Sequence, residues 1–323
     1  MYPVVINKIL CLKNNLIDIS RQIKKQKQYQ IQFYNCWDQK NEDMYWGQFV
    51  QSRNLLGGGG KKRIAVFSVF GTRRAINIVK ADVKIFYSAE NLQRFPVYIG
   101  YCLDERNVDL AMGFDYVNDE RYIRFPLWMD YMFPAESTDE DIRLICEQIR
   151  FPKIDNRSKF CCMVASNAAD GLRDEMLDKV SSISPVDSAG KYRHNDDSLF
   201  KEFGDDKHLY LRQYKFNICP ENTSIKGYVS EKLFESMREG CIPIYWGSEG
   251  VIEPEVVNPN SLIYWNRDDG GKQAMKQIAE LQSNPRLLHD FISQPRLLPT
   301  AEEFVLDTYH QIENKLREII KNK

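Results

Sequence analysis

Apolar positions along this chain follow two alternating patterns. From residue 4 to 28 they recur every three or four places, at Val5, Ile9, Leu12, Leu16, Ile19 and Ile23, which is the spacing of one helix face. Arg21, Lys24, Lys25 and Lys27 gather at the end of that stretch. It reads either as an amphipathic helix lying on an anionic membrane surface or as a helix packed on its own domain. Tyr29–Trp37 then alternates and is rich in aromatics, which predicts a strand. A turn follows. Lys62–Phe70 (KRIAVFSVF) predicts a second strand, Ala75–Val79 a short helix and Asp82–Tyr87 a third strand. Leu110–Phe114 and Tyr122–Phe125 predict two more short strands. Ser137–Arg150 has a helical stripe of Ile142, Ile145 and Ile149, opened by a Ser137/Glu140 capping pair.

The polar, proline-marked run from Phe151 to Lys159 interrupts this rhythm and predicts a domain boundary, giving domains 1–155 and 156–323. The second half then repeats the alternation. Strands are expected at Phe160–Ser166, Tyr214–Cys219, Cys241–Trp246 and Ser261–Trp265. Helices are expected at Gly171–Val180, Val229–Glu239, 271–283 and 301–321, the last packing back on the first domain. Strand and helix alternating in both halves imply an α/β protein with two parallel sheets. Ligands in such folds bind beyond the carboxyl ends of strands. The cleft between two such domains is the expected site.

Composition narrows the function. The 44 Lys+Arg against 45 Asp+Glu argue against a nucleic-acid coat, which would be basic. The 17 Tyr and 17 Phe suit stacking on bases or sugars, although most belong in a core. No run of 18 apolar residues suggests a membrane span, and no signal-peptide pattern opens the chain. Eight Cys without a CxxC read as buried, reduced thiols, so a cytoplasmic location is expected, with membrane contact through residues 4–28 kept open.

Three motifs fail on inspection. Gly57–Gly60 before Lys61 precedes a strand instead of following one, so it reads as a turn rather than a phosphate loop. Asp139-Glu140-Asp141 resembles an acidic metal motif, but it lies in a helix first turn, where acids are favoured anyway. His194, His208, His289 and His310 show no metal-ligand spacing.

The stretch Tyr214–Ser248 carries the chemistry. A strand ends at Cys219, a polar loop (Glu221, Asn222, Thr223, Ser224) leads through Gly227, and a helix opens with Glu231 and Lys232 in its first turn. Amides at a helix start favour phosphate, and Lys232 adds a positive charge. Glu231 would repel a phosphate unless it faced elsewhere, for instance towards a ribose diol. Glu231 as an ordinary helix-start acid, with Lys232 a solvated charge, is the competing reading.

Pro220-Glu221-Asn222, Gly227-Tyr228-Val229-Ser230-Glu231-Lys232 and Ile242-Pro243-Ile244-Tyr245-Trp246-Gly247-Ser248 together resemble the signature of glycosyltransferase family 10, the α-1,3/1,4-fucosyltransferases. Pro220 and Ser230 stand where the family usually has Phe and Thr. Val164-Ala165-Ser166-Asn167 is similar to a family strand end, and Arg173 then matches an arginine that contacts the donor pyrophosphate. Phe86-Tyr87-Ser88-Ala89-Glu90-Asn91 is similar to the motif carrying the general base, which points to Glu90. The resemblance runs from about residue 82 to 265, and residues 1–60 match poorly and are expected to shape acceptor choice.

The resemblance implies a GT-B fold of two Rossmann-like domains facing a central cleft, acceptor side first and donor side second. It implies inverting transfer of L-fucose from GDP-fucose to a glycan hydroxyl, such as O3 of GlcNAc in an N-acetyllactosamine-type oligosaccharide. Glu90 is the expected base. Arg173, Lys232, Glu231, Asn222, Tyr228, Asn167, Glu221 and Arg193 are the expected donor residues. No cofactor is required, and a divalent metal would at most stimulate. The alternatives are a related enzyme using another nucleotide sugar and a glycan-binding protein without catalysis.

Overall fold

The computed structural model describes residues 15–37, 44–57, 62–153 and 157–323. Two five-stranded sheets, each wholly parallel, organise it. The chain divides into two compact units. The first takes residues through Phe125, Pro134–Glu136 and Thr308–Lys323, and the second takes Pro126–Phe133 and Ser137–Asp307. The helices 127–132 and 139–150, which precede the second sheet in the chain, belong with the second unit.

In the first unit the strands β1 (Ile31–Tyr34), β2 (Ile64–Phe67), β3 (Val83–Ser88), β4 (Leu110–Gly113) and β5 (Tyr122–Arg124) lie in chain order across the sheet. They are nearly continuous apolar runs because both sheet faces are covered, as parallel sheets require. A helix over 15–26 (α1) covers the β1 edge. Its Ile19 is buried, Gln26 Oε1 accepts from Phe33 N–H at 3.1 Å, and Gln22 Oε1 accepts from Asn35 N–H at 3.2 Å. These side chains satisfy an edge strand that would otherwise be open. Over its described part this helix therefore packs on its own domain, and residues 4–14 of the expected helix lie outside the described residues. Helix α2 (Tyr45–Ser52) occupies what read as a turn, and Trp46 packs edge-on against Phe125 at 4.9 Å. The short helix α3 (Ala75–Ile78) lies where expected.

The second unit begins with α4 (Leu127–Met132), unforeseen in the sequence, and α5 (Asp139–Arg150). Thr138 caps α5 and reciprocates with Asp141, correcting the expected Ser137/Glu140 pair by one residue. Asp141 is thereby committed to the cap, and among the described residues no cluster of His, Cys, Asp and Glu could hold a metal. The strands β6 (Lys159–Met163), β7 (Val186–Ser188), β8 (Tyr214–Ile218), β9 (Ile242–Tyr245) and β10 (Ile263–Tyr264) are joined through α6 (Leu172–Ser181), α7 (Ser198–Lys201), α8 (Lys207–Leu211) and α9 (Glu231–Arg238). Helices α10 (Lys272–Ser283), α11 (Pro285–Ile292) and α12 (Ala301–Asn322) follow. From Thr308 onward α12 is part of the first unit, where Arg53 Nε meets Glu313 at 3.3 Å and Lys62 Nζ donates to Ile320 O at 2.6 Å.

Spatial order in the second sheet is β10-β9-β8-β6-β7. The chain therefore moves from β6 to β7 on one side, then returns to β8 on the other. That reversal falls at the carboxyl ends of β6 and β8, the place where α/β sheets take ligands. The first sheet has no such reversal. Helix α9, which follows β8, is anchored by Phe234 stacked on Trp128 of α4 at 4.1 Å. All seven cysteines among the described residues are buried free thiols, and no described helix is long and apolar enough to cross a membrane.

Candidate functional site

The loops that follow β6 and β8 gather most of the expected donor residues. After β6 the chain turns through Ala169 (φ 46°), Asp170 (φ 51°) and Gly171 (φ 79°), three successive left-handed residues. Glycine is the residue that tolerates this backbone at the cap. The turn starts α6 so that Arg173 folds back over it. Arg173 is 3% exposed; its Nη1 donates to Asn167 O at 2.8 Å and Asn167 Oδ1 at 2.5 Å, and its Nη2 donates to Asn222 Oδ1 at 2.9 Å. Asn167 follows β6 and Asn222 follows β8, so this guanidinium bridges the two strands at the reversal. Its Nε–H has no hydrogen-bond partner. Burial lowers its pKa, and the nearby Glu221 charge opposes that.

A buried carboxylate organises the other side. Glu221 is fully buried. Its Oε1 accepts from Ser230 N–H at 2.7 Å and Tyr245 O–H at 3.1 Å, and its Oε2 accepts from Ser230 O–H at 2.7 Å and Lys232 Nζ at 3.3 Å. Gly247 makes room for it: a Cβ there would lie 2.7 Å from Glu221 Cγ and 2.8 Å from the Tyr245 hydroxyl. Because Glu221 takes the Ser230 amide, α9 begins at Glu231, two residues later than the apolar pattern predicts. Glu221, expected among the donor residues, thus holds a place behind Ser230 and Lys232 with its oxygens already occupied.

Lys232 has three neighbours: Ser230 Oγ at 2.7 Å, Glu221 Oε2 at 3.3 Å and Glu231 Oε1 at 3.3 Å. Burial would lower its pKa, but Glu221 and Glu231 outweigh burial and push it up. Burial would raise the Glu231 carboxyl, but Lys232 and then Lys207 hold it down. Both groups keep their charges across neutral pH. Glu231 faces Lys232, which resolves the repulsion expected from sequence. The site is consequently not an excess of positive charge. It is a set of aimed donors, one of which is balanced by two carboxylates. Tyr228 is buried in the same loop.

Arg193 stands apart. Its Nη1 pairs with Asp178 at 2.6 Å and Asp174 at 3.3 Å on α6, on the exposed side of that helix. Asp174 also accepts from Tyr192 O–H at 2.5 Å. Ser230 and Tyr245 were not singled out from sequence, where they are merely a signature hydroxyl and a strand residue. The glycine after Trp246 was the one available sign that a side chain must enter there.

Glu90 belongs to the first unit, two residues past the end of β3. Ser88 Oγ accepts from its amide at 3.2 Å, and Asn91 Oδ1 accepts from Gln93 N–H at 2.9 Å, so the loop is held from both sides. The Glu90 carboxylate is about one-third exposed and pairs with Arg94 at 3.4 Å.

Comparison with known proteins gives the family and the fold. The model of the family 10 fucosyltransferase C-terminal region matches residues 154–297, and the model of the α-(1,3)-fucosyltransferase N-terminal domain matches residues 31–131. The chain belongs to glycosyltransferase family 10. The family's C-terminal match covers Asn167, Arg173, Glu221, Asn222, Tyr228, Glu231 and Lys232, and its N-terminal match covers Glu90. The α-(1,3)-fucosyltransferase FucT of Helicobacter pylori is 29% identical over 249 residues, covering 69% of this chain and 49% of that protein. GDP-fucose protein O-fucosyltransferase 3 of Xenopus tropicalis is 30% identical over 152 residues, 41% of this chain and 31% of that one. The chain thus spans half or less of the length of these relatives. A crystal structure of an α1,3-fucosyltransferase superposes with TM-score 0.57 at 22% identity, covering 88% of this chain and 89% of that one. A crystal structure of an α1,3-fucosyltransferase with GDP-fucose superposes with TM-score 0.53 at 20% identity, covering 88% of this chain and 89% of that one. These likenesses give the fold, which is GT-B.

Proposed function

We propose that this chain transfers L-fucose from GDP-fucose to a glycan hydroxyl with inversion, the O3 of GlcNAc in an N-acetyllactosamine-type acceptor being the leading target. The observation that carries the proposal is the Arg173–Asn222 bridge at the β6/β8 reversal beside the Glu221–Ser230–Lys232 cluster. The diphosphate enters between Asn167, Asn222 and the first turn of α9, whose leading amides have no intrahelical acceptor. A phosphate oxygen there supplies the acceptor that the Arg173 fork lacks. The ribose diol draws Glu231 away from Lys232, which frees one ammonium proton for phosphate. Tyr228 lines the same pocket.

In the reaction, Glu90 takes the proton of the acceptor hydroxyl and that oxygen bonds to the anomeric carbon. The bond from this carbon to the phosphate oxygen breaks, and its electron pair leaves with GDP. Arg173 and Lys232 receive the growing charge, so the proposal needs no bound metal.

Calorimetric titration with GDP-fucose, GDP-mannose and a UDP-sugar tests the donor reading. GDP-fucose should bind, and the UDP-sugar should not; a preference for UDP or for GDP-mannose would replace the donor. In the same titration Arg173→Ala should weaken GDP by about 10- to 100-fold, the loss of charged hydrogen bonds worth about 1.5–3 kcal/mol. Arg173→Lys should recover only part of this, since an ammonium cannot reproduce the planar fork. Unchanged affinity in Arg173→Ala would remove Arg173 from the pocket.

A further inference from the structure

The first sheet has an exposed aromatic feature that the proposed chemistry leaves unused. Trp37, three residues past the end of β1, is 83% exposed. Phe70, three residues past the end of β2, is 37% exposed and meets Trp37 edge-on, with centroids 5.1 Å apart at 73°. Phe95 also meets Phe70 edge-on, with centroids 5.6 Å apart at 83°. Large aromatics kept in water at adjoining positions forgo burial and mark a binding surface.

Register shows where this surface lies. Tyr34, Phe67 and Phe86 are aligned across β1, β2 and β3. Trp37, Phe70 and Glu90 therefore all follow the carboxyl edge of one sheet. With neighbouring strands about 4.8 Å apart, β1 and β3 are separated by about 10 Å, the reach of a disaccharide. Phe70 also borders an open cavity of about 820 Å³ whose other walls include Asn15, Asp18 and Gln22 from α1 and Thr72 and Arg74 from the β2–α3 loop.

We infer that Trp37 and Phe70 form a subsite for the second sugar of the acceptor, one residue away from the sugar whose hydroxyl Glu90 activates. A pyranose has an apolar C–H face and a rim of hydroxyls. An aromatic ring bordered by carboxylate, amide and guanidinium groups offers the complement of both. The short, shallow platform suits a sugar better than a protein partner, whose interface needs a far larger apolar core. The inference rests on the acceptor role proposed for this unit, and it names the residues that read the acceptor beyond its reacting ring.

The test is initial-rate kinetics of the full chain with two acceptors, N-acetyllactosamine and methyl N-acetylglucosaminide. Trp37→Ala and Phe70→Ala, both at exposed positions, should raise the KM for N-acetyllactosamine about tenfold. The KM for the monosaccharide and that for GDP-fucose should stay within about twofold. Trp37→Phe, which keeps a ring face, should stay within about threefold of the parent for both acceptors. An unchanged N-acetyllactosamine KM in both alanine variants would overturn the inference. So would an equal rise for both acceptors, which would take the subsite away from the second sugar. Failure of the parent chain to bind GDP-fucose by calorimetry would instead bring down the functional proposal on which the inference stands.

Discussion

Lys232→Ala is expected to lower kcat/KM by about 10²–10³-fold, the range seen when one aimed donor to a developing anion is removed. The effect has two sources. The ammonium is a full positive charge in the first turn of α9, 2.7 Å from Ser230 Oγ and paired with a carboxylate that never reaches solvent. Its removal strips the departing GDP of that charge. It also leaves Glu221 buried without its cation and leaves Glu231 with only the weaker pull of Lys207 on its carboxyl. The Glu231 pKa should therefore rise in the variant, and residual GDP affinity should fall as pH drops through the new value, because the protonated acid is a weaker acceptor for the ribose diol. In the parent chain Glu231 stays anionic and Lys232 cationic across neutral pH, so affinity for GDP-fucose should be flat from about pH 6 to 9, well away from both titrations. Breaking a buried pair is itself destabilising by about 3–5 kcal/mol, so a melting curve must accompany the kinetics. Folded Lys232→Ala with parental kcat/KM would exclude Lys232 from the reaction.

Glu90→Gln is expected to separate binding from chemistry. Loss of a positioned general base costs about 10²–10⁴-fold in rate, and glutamine retains the shape and the contact with Arg94 while losing the ability to take a proton. The kcat for fucose transfer should fall by that factor, while the Kd for GDP-fucose, set by residues of the other unit, should stay within about twofold. Glu90→Asp should lie between the two, because the carboxylate survives but sits one methylene further back. Retained transfer in Glu90→Gln would require another base, and loss of GDP-fucose binding would move Glu90 to the donor.

Nine of the ten strands were legible because parallel strands covered on two faces become unbroken apolar runs such as Ile64–Phe67 and Ile242–Tyr245, whereas the edge strand β7 (Val186–Ser188) is three residues long with Asp187 at its centre and gave no such run. What escaped has local causes. Helix α2 carries Gly47 and has no side-chain cap at Met44, so its one apolar triplet, Trp46, Phe49 and Val50, is too short a stripe to announce a helix by itself. The start of α9 is set by Glu221 reaching across from the preceding loop, a tertiary contact that periodicity cannot register. Arg173, Asn167 and Asn222 were legible as residue types suited to phosphate, but their meeting depends on the β6/β8 reversal, which follows from strand order and not from any single segment. Arg193 illustrates the opposite case. It is near the others in sequence but turned to Asp174 and Asp178 by the left-handed backbone at its own position (φ 47°). The hydroxyls of Ser230 and Tyr245 bond to a buried acid, a role that becomes apparent only when the partners are seen together.

The most direct measurement is proton NMR of the chain incubated with GDP-fucose and N-acetyllactosamine. The account predicts a fucosylated trisaccharide with the anomeric configuration inverted relative to the donor, formed by the parent chain and lost in Glu90→Gln. Retained configuration, or GDP-fucose bound without any transfer to a glycan, would contradict it.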